Sequence, residues 1–288
     1  MENIKYKINK IFKKVILIFN QSVRYFYKNS NPEMTKIIKQ NRKFLENEQS
    51  FLTKTQYEDT NYGIPGHIFS ALNKKIDNFP TYSDLFVFMI KTVDSSINYL
   101  EIGVSVLKNF LQLNESLTNA NLTGFDINPI SPSFKHNFRD MNKVSSKFYT
   151  YSSNQNELYY FQGSVLDELD TEEFKKLNNS KFNFIFSDAL HEPDAVFAEF
   201  NNLIKDELDE NFILYYDDLD FDGLSEMTYK IFKELNKEHE NLYFCTFYIN
   251  GWIGQHEKLH KNGIISTIDF YSLFKKEGIK LPLLKRKI

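Results

Sequence analysis

Cysteine occurs once in the 288 residues, at Cys245, so no internal disulfide can form. It stands in an apolar, strand-like run, where a small buried side chain is the expected role rather than a reactive thiol. A cytoplasmic setting is the expectation from that usage. Charge of one sign is also missing: the net balance is −3 and the pI near 6.1. That balance lacks the broad basic footprint of a nucleic-acid binder, and the basic residues that cluster lie towards the two termini. Arginine is confined to Arg24, Arg42, Arg139 and Arg286 against a large excess of lysine, a coding bias rather than a mechanism. Long hydrophobic runs are absent as well. In the first segment the longest, Val15 to Phe19, is far below the roughly 20 residues of a membrane span. No small-residue cleavage site follows it, which argues against a secretory signal. Internal repeats and low-complexity tracts are lacking too.

What is present is a globular composition, 42% apolar and 25% charged, in a length that suits one α/β domain with an appendage. Residues 1–80 read as a helical N-terminal extension and loop, and 81–288 as the main domain. From Met1 to Lys28, Ile4, Ile8, Ile11, Val15 and Ile18 recur at helical spacing, with Lys7, Lys10, Lys13, Lys14 and Arg24 largely elsewhere on the wheel. Such a basic amphipathic helix can lie on a membrane surface, pair with a second copy, or pack on its own domain. Asn31 and Pro32 mark the start of a second helix, with Glu33 suited to its positive end. A turn-rich loop with Tyr62 and His67 follows, and after Pro80 the residues Leu85, Phe86, Met89, Ile90 and Val93 predict another amphipathic helix.

The stretch from Ile97 to Phe110 reads as a strand, a tight turn and a helix start, and the pattern then repeats. Leu122 to Phe125 runs into Asp126, Leu158 to Gln162 into Gly163 and Ser164, Phe182 to Phe186 towards Asp188, and Phe212 to Tyr216 into Asp217 and Asp218. Asn137 to Asn156, polar and serine-rich, reads as a helix and a loop. Helices after the fourth and fifth strands bury Val196, Phe197, Phe200, Leu203 and Ile204, then Met227, Ile231, Phe232 and Leu235. Alternation of this kind predicts parallel strands joined by right-handed crossovers. Two closing strands follow, Leu242 to Ile249 and Ile264 to Phe270. Ligands of open α/β sheets sit outside the carboxyl ends of the strands, where these acids fall.

Glu101 and Gly103 in LEIGVS, Asp126 in GFDINP, and Gly163 and Ser164 in QGSVLD resemble the motifs of class I S-adenosylmethionine-dependent methyltransferases. The resemblance implies a Rossmann-like, doubly wound, seven-stranded and mostly parallel sheet. It also implies that Glu101 and Gly103 face the amino-acid end of S-adenosylmethionine, Asp126 the ribose hydroxyls, and Gly163 and Ser164 the adenine, with Asp188 beside them. Leu107 stands where that family usually has a second glycine, and its side chain is expected to narrow the room for the methionine tail.

SDALHEP and YYDD hold the remaining chemistry. Adjacent strands lie about 4.8 Å apart, so Asp188 can converge with Asp217 or Asp218. Crowded carboxylates repel unless a cation or proton intervenes, and an oxygen-rich set suits Mg²⁺ or Mn²⁺. The arrangement resembles the metal-dependent O-methyltransferases that act on sugar hydroxyls. Carried over residue by residue, that resemblance makes Asp188, Asp217 and Asp218 the metal ligands and His191 the base that deprotonates a hydroxyl acceptor, a saccharide or other small molecule. Two other readings stand beside it. One is a catalytically inactive binding module of the same fold, which Leu107 favours. The other is a zinc peptidase through His256, Glu257 and His260, which spell H-E-x-x-H, although glycines bracket the segment and Lys258 and Lys261 would crowd a zinc ion.

Overall fold

The computed structural model describes residues 27, 29–47, 79–93, 96–105, 107–130, 142–143, 145, 147–251 and 259–287. The expected amphipathic helix at the N-terminus lies almost wholly outside them, as do Tyr62, His67, His256 and Glu257. Helix α1 (Pro32–Asn47) starts where the sequence places it. The Met34 N–H donates to Asn31 Oδ1 at 2.9 Å, and Pro32 occupies the first turn, where no N–H is needed. Helix α2 (Tyr82–Thr92) opens with a reciprocal cap: Thr81 Oγ1 accepts from the Asp84 N–H at 3.1 Å and Asp84 Oδ2 from the Thr81 N–H at 2.8 Å. Arg42 of α1 donates to that same Asp84 oxygen at 3.2 Å. Both side chains are buried, so the cap that begins one helix also docks the other.

The remaining elements are β1 (Asn98–Ile102), α3 (Lys108–Ser116), β2 (Asn121–Asp126), β3 (Asn142–Lys143), β4 (Phe148–Ser153), β5 (Asn156–Gln162), α4 (Glu168–Leu177) and β6 (Phe182–Ser187). Then come α5 (Pro193–Glu199), β7 (Leu208–Tyr216), α6 (Leu224–Leu235), β8 (Tyr243–Ile249), β9 (His260–Ser266), α7 (Phe270–Lys276) and β10 (Lys285–Lys287). All the strands join one sheet in the order β10-β8-β9-β7-β6-β1-β2-β5-β4-β3. The run β5-β2-β1-β6-β7 is parallel throughout, and the other pairings are antiparallel. From β1 the chain steps outward through β2 to β5, then returns to lay β6 and β7 on the opposite side. The sheet is therefore doubly wound and Rossmann-like, with its switch point between β1 and β6.

Seven strands are expected, and the described residues form ten. The additions are β3 and β4 at one edge and β10 at the other. Part of the segment expected to be helix and loop is strand β4, hairpinned to β5 through Asn154 and Gln155, whose φ angles are 53° and 64°. Two left-handed residues make the tight turn whose twist matches a hairpin. The serines hide the strand because β4 lies near the sheet margin and needs only part of one face apolar.

The central strands divide their side chains between two cores. Tyr99, Phe184, Phe186, Ile213 and Tyr215 pack on the side of α1, α2, α3 and α7, and Leu100, Ile102, Ile185, Leu214 and Tyr216 on the side of α4, α5 and α6. Phe86 presses edge-on against Phe186 and Tyr215, its ring centre 4.7 Å from each. Helix α5 continues through a wide π turn at Phe200–Ile204 and buries Val196, Phe200, Leu203 and Ile204, as their spacing predicts. Cys245 is buried on β8, and burial pushes its thiol pKa up, in keeping with a structural role. Among the described residues no helix is long and apolar enough to cross a membrane.

Candidate functional site

At the switch point the strand ends surround a cleft lined by Gly103, Ser105, Asp126, Gly163, Ser164 and Asp188, with Ile127, Val165, Ala189 and Leu190 as its apolar flank. The structure thus gathers the expected cofactor residues, apart from Glu101, on one rim. Gly103 has φ 86°, and a Cβ there would lie 2.4 Å from the Asp188 carbonyl oxygen, so only glycine lets the loop after β6 pass so close to the end of β1. At Gly163 a Cβ would fall 2.5 Å from the Phe161 ring and 3.1 Å from the Asp170 side chain. Asp126 fixes the turn after β1: its Oδ2 accepts from the Val104 and Ser105 N–H groups at 2.8 and 3.0 Å. Its Oδ1 accepts from the backbone and side chain of Asn128 at 2.9 and 3.1 Å.

Glu101 lies behind the cleft. It is buried, accepting from the Tyr99 hydroxyl at 2.9 Å and from Asn109 Nδ2 at 3.3 Å. Burial outweighs those bonds and raises its pKa to about 8. Lys108 is buried nearby, donating to Ser83 Oγ at 2.7 Å, and burial lowers its pKa to about 7. Leu107 takes up the left-handed backbone, φ 63°, that a glycine would adopt. Its side chain packs into the core between sheet and helices and does not line the cleft, contrary to the expectation that it narrows the methionine end.

Asp188, on the rim of the cleft, also belongs to a second cluster. Its Oδ1 lies 3.4 Å from His191 Nε2, which is 3.6 Å from Asp218 Oδ2 on the far side. His191 Nε2 is itself buried and makes no hydrogen bond. Its ring stacks on Phe221, 4.9 Å away and within 11° of parallel, which sets its orientation. The Asp188 carboxylate raises the His191 pKa, with burial opposing. Burial raises the pKa of Asp188, and of Asp217 more strongly, with the neighbouring carboxylates adding to the rise at Asp217. Asp217 accepts from Asn262 Nδ2 and, at 2.7 Å, from the Asp218 N–H. Asp218 has φ 52°, a left-handed turn that brings its carboxylate back towards His191 and His260.

Three members of this site were not read from the sequence in these roles. His260 pairs through Nδ1 with Asp218 Oδ1 from the start of β9. The helix that an H-E-x-x-H zinc site needs therefore does not run through His260, the described end of that motif. Asn262, two residues on, holds Asp217. Glu199 is buried near Asp188 and His191, its pKa raised to about 7 by burial. Glu199 left a signal as an acid within the otherwise apolar inward face of α5, and His260 left one through the H-E-x-x-H spelling, which points to a different site.

No protein-family model matches the chain, and no curated protein does. Solved structures do. The O-methyltransferase TomG from Streptomyces achromogenes, involved in tomaymycin synthesis and in complex with SAM, is 12% identical, covering 86% of this chain and 95% of that one at a TM-score of 0.46. The O-methyltransferase from Bacillus cereus in complex with SAH is 13% identical, covering 88% and 99% at a TM-score of 0.45. MycE, a methyltransferase of the mycinamycin biosynthetic pathway in complex with Mg, SAH and mycinamycin VI, is 11% identical, covering 83% and 54% at a TM-score of 0.39. Each of these three similar structures is a methyltransferase.

Proposed function

We propose that the chain is an S-adenosylmethionine-dependent O-methyltransferase acting on a hydroxyl of a small molecule, a saccharide foremost, with the help of a divalent cation. One observation carries the reading: Asp188 stands at a junction, lining the cleft on one side and facing His191 and Asp218 on the other. A donor site and a deprotonating site that share a residue are placed for transfer between them.

The residues fit both absent groups. For the donor, the cleft offers glycines that let the loops at the strand ends close up around it, an apolar flank in Ile127 and Leu190, and acids at the strand ends that suit a sulfonium. Asp126 and the backbone of Gly103 and Ser164 would hold it, and it would supply the methyl group. For the cation, the carboxylates of Asp188, Asp217 and Asp218 are oxygen donors beside an imidazole nitrogen that lacks a hydrogen bond. When bound, a divalent cation lowers the pKa of a hydroxyl at the site. His191 would then take the hydroxyl proton at Nε2, the Phe221 stack keeping the ring edge aimed inward. His191 must be neutral to do so. The acids that raise its pKa need their charge offset before it can act as a base near neutrality.

The test separates the two roles. Asp188→Ala should abolish cation-dependent methyl transfer, and His191→Ala should lower turnover by about 10²-fold or more while calorimetric binding of S-adenosylmethionine stays unchanged. Normal methylation by both variants overturns the assignment.

A further inference from the structure

We infer that His260 is a protein ligand of the cation site, alongside Asp217 and Asp218, and that this imidazole makes the site prefer a first-row transition ion such as Mn²⁺ or Zn²⁺ over Mg²⁺. The inference rests on the cation reading above and deepens it by naming a ligand from a strand that the methyltransferase motifs leave out.

Placement comes first. Strand β9 runs antiparallel to β7 with Gly263 opposite Tyr216, so His260 projects past the end of β7 to where the chain has turned into Asp217 and Asp218. Two bonds fix the approach: the Leu219 N–H donates to the Lys261 carbonyl at 2.7 Å, and the Lys261 N–H to Asp220 Oδ1 at 2.8 Å. Both bonds are made by Lys261, so the residue next to His260 is anchored to the turn that His260 faces.

The donor atoms come next. One oxygen each from Asp217 and Asp218 and one nitrogen from His260 all lie within 4.8 Å of one another. Ligand bonds of about 2.0–2.2 Å to a first-row ion span about 4.4 Å at most, so the widest separation need close only by a few tenths of an ångström, while the direct His260–Asp218 pair opens to admit the ion. Asp217 is buried and held by Asn262, which leaves little freedom to turn away. His191 Nε2 faces the same carboxylates, 3.4 Å from Asp188 Oδ1 and 3.6 Å from Asp218 Oδ2 without a well-formed hydrogen bond to either, so the acids between the two histidines have room to turn towards an ion.

Chemistry then selects the ion. Oxygen-only sets suit Mg²⁺, which keeps much of its water and accepts nitrogen poorly. Imidazole moves a mixed set towards Mn²⁺, Fe²⁺ and Zn²⁺, whose affinities for nitrogen and oxygen donors exceed that of Mg²⁺.

The full chain, stripped with chelator, would be titrated calorimetrically with Mn²⁺, Zn²⁺ and Mg²⁺, and the Mn²⁺ form examined by pulsed electron paramagnetic resonance for coupling to a directly bound imidazole nitrogen. The inference expects Mn²⁺ and Zn²⁺ to bind at least about tenfold tighter than Mg²⁺, with nitrogen coupling in the wild type. In His260→Gln, with unfolding of the ion-free protein unchanged, the coupling and the preference should both vanish. Mn²⁺ bound without nitrogen coupling, or coupling that persists in His260→Gln, overturns the inference and leaves the cation reading intact. No binding of any of the three ions by the wild type overturns both.

Discussion

Leu107 shows how one residue can carry opposed effects. A leucine at φ 63° costs about 1–2 kcal/mol over a right-handed backbone, yet its side chain is 1% exposed within a packed core, where removing a leucine costs about 2–5 kcal/mol. Burial wins. Leu107→Gly should therefore lower stability by about 1–3 kcal/mol in urea denaturation, because the relief of the backbone is smaller than the lost packing. Calorimetric affinity for S-adenosylmethionine should stay within about twofold, since the side chain is clear of the cleft. A large gain in affinity would show that the side chain does reach the methionine end. The sequence marks this position as a departure from the methyltransferase motif it resembles. It cannot tell on which side of the turn the side chain falls, because that depends on how α3 seats against the sheet. Gly103 is the converse case: a special residue is legible there, but its reason, the Asp188 carbonyl passing close by, lies on another strand.

At the scale of elements, α1 and α2 are joined through Asp84, which serves as helix cap and as ion-pair partner of Arg42. Removing a single partner of a buried pair leaves a charge unpaired and costs about 3–5 kcal/mol. Asp84→Ala should approach that loss in urea denaturation, with the early fall in helical signal confined to residues of α1 and α2. Asp84→Asn, which keeps an acceptor for the Thr81 N–H, should lose less. An Asp84→Ala protein as stable as the wild type would mean the cap and the pair contribute nothing. The start of α1 is readable from Asn31 and Pro32 alone, since a helix terminus is a local event. The hairpin of β4 and β5 has local signals too, an aromatic run before Asn154 and Gln155, but the serines of β4 match a loop equally well. Pairing with β5 decides between them, and pairing is not local.

For the molecule as a whole, Glu101 and Lys108 tie stability to pH. Glu101 keeps its proton to about pH 8 when folded against its usual 4.5, so the folded state holds the extra proton and stability falls as pH rises between those values. Lys108 is neutral above about 7 when folded, against 10.5 ordinarily, so the unfolded state holds the extra proton and stability rises with pH between those values. The two slopes oppose each other where the windows overlap. Their sum is a minimum near neutrality with an acid and an alkaline arm, each of a few kcal/mol at about 1.4 kcal/mol per pKa unit. Urea midpoints at pH 5, 7.5 and 9.5 should show the acid arm shrinking in Glu101→Gln and the alkaline arm in Lys108→Met. If Lys108→Met keeps the full alkaline rise, another group produces it.

The sequence by itself determined the alternation of parallel strands and helices from β1 to α6, the acids at the strand ends and the structural role of Cys245. Those follow from periodicity and from what ends each segment, and both are written along the chain. Only the tertiary structure decided that Asp188 serves the cleft and the histidine cluster together, that His260 meets Asp218 from β9, that Leu107 turns into the core, and that three further strands extend the sheet. Each of these is a contact between residues far apart in the chain. Strand order and register bring them together, and no local pattern encodes either.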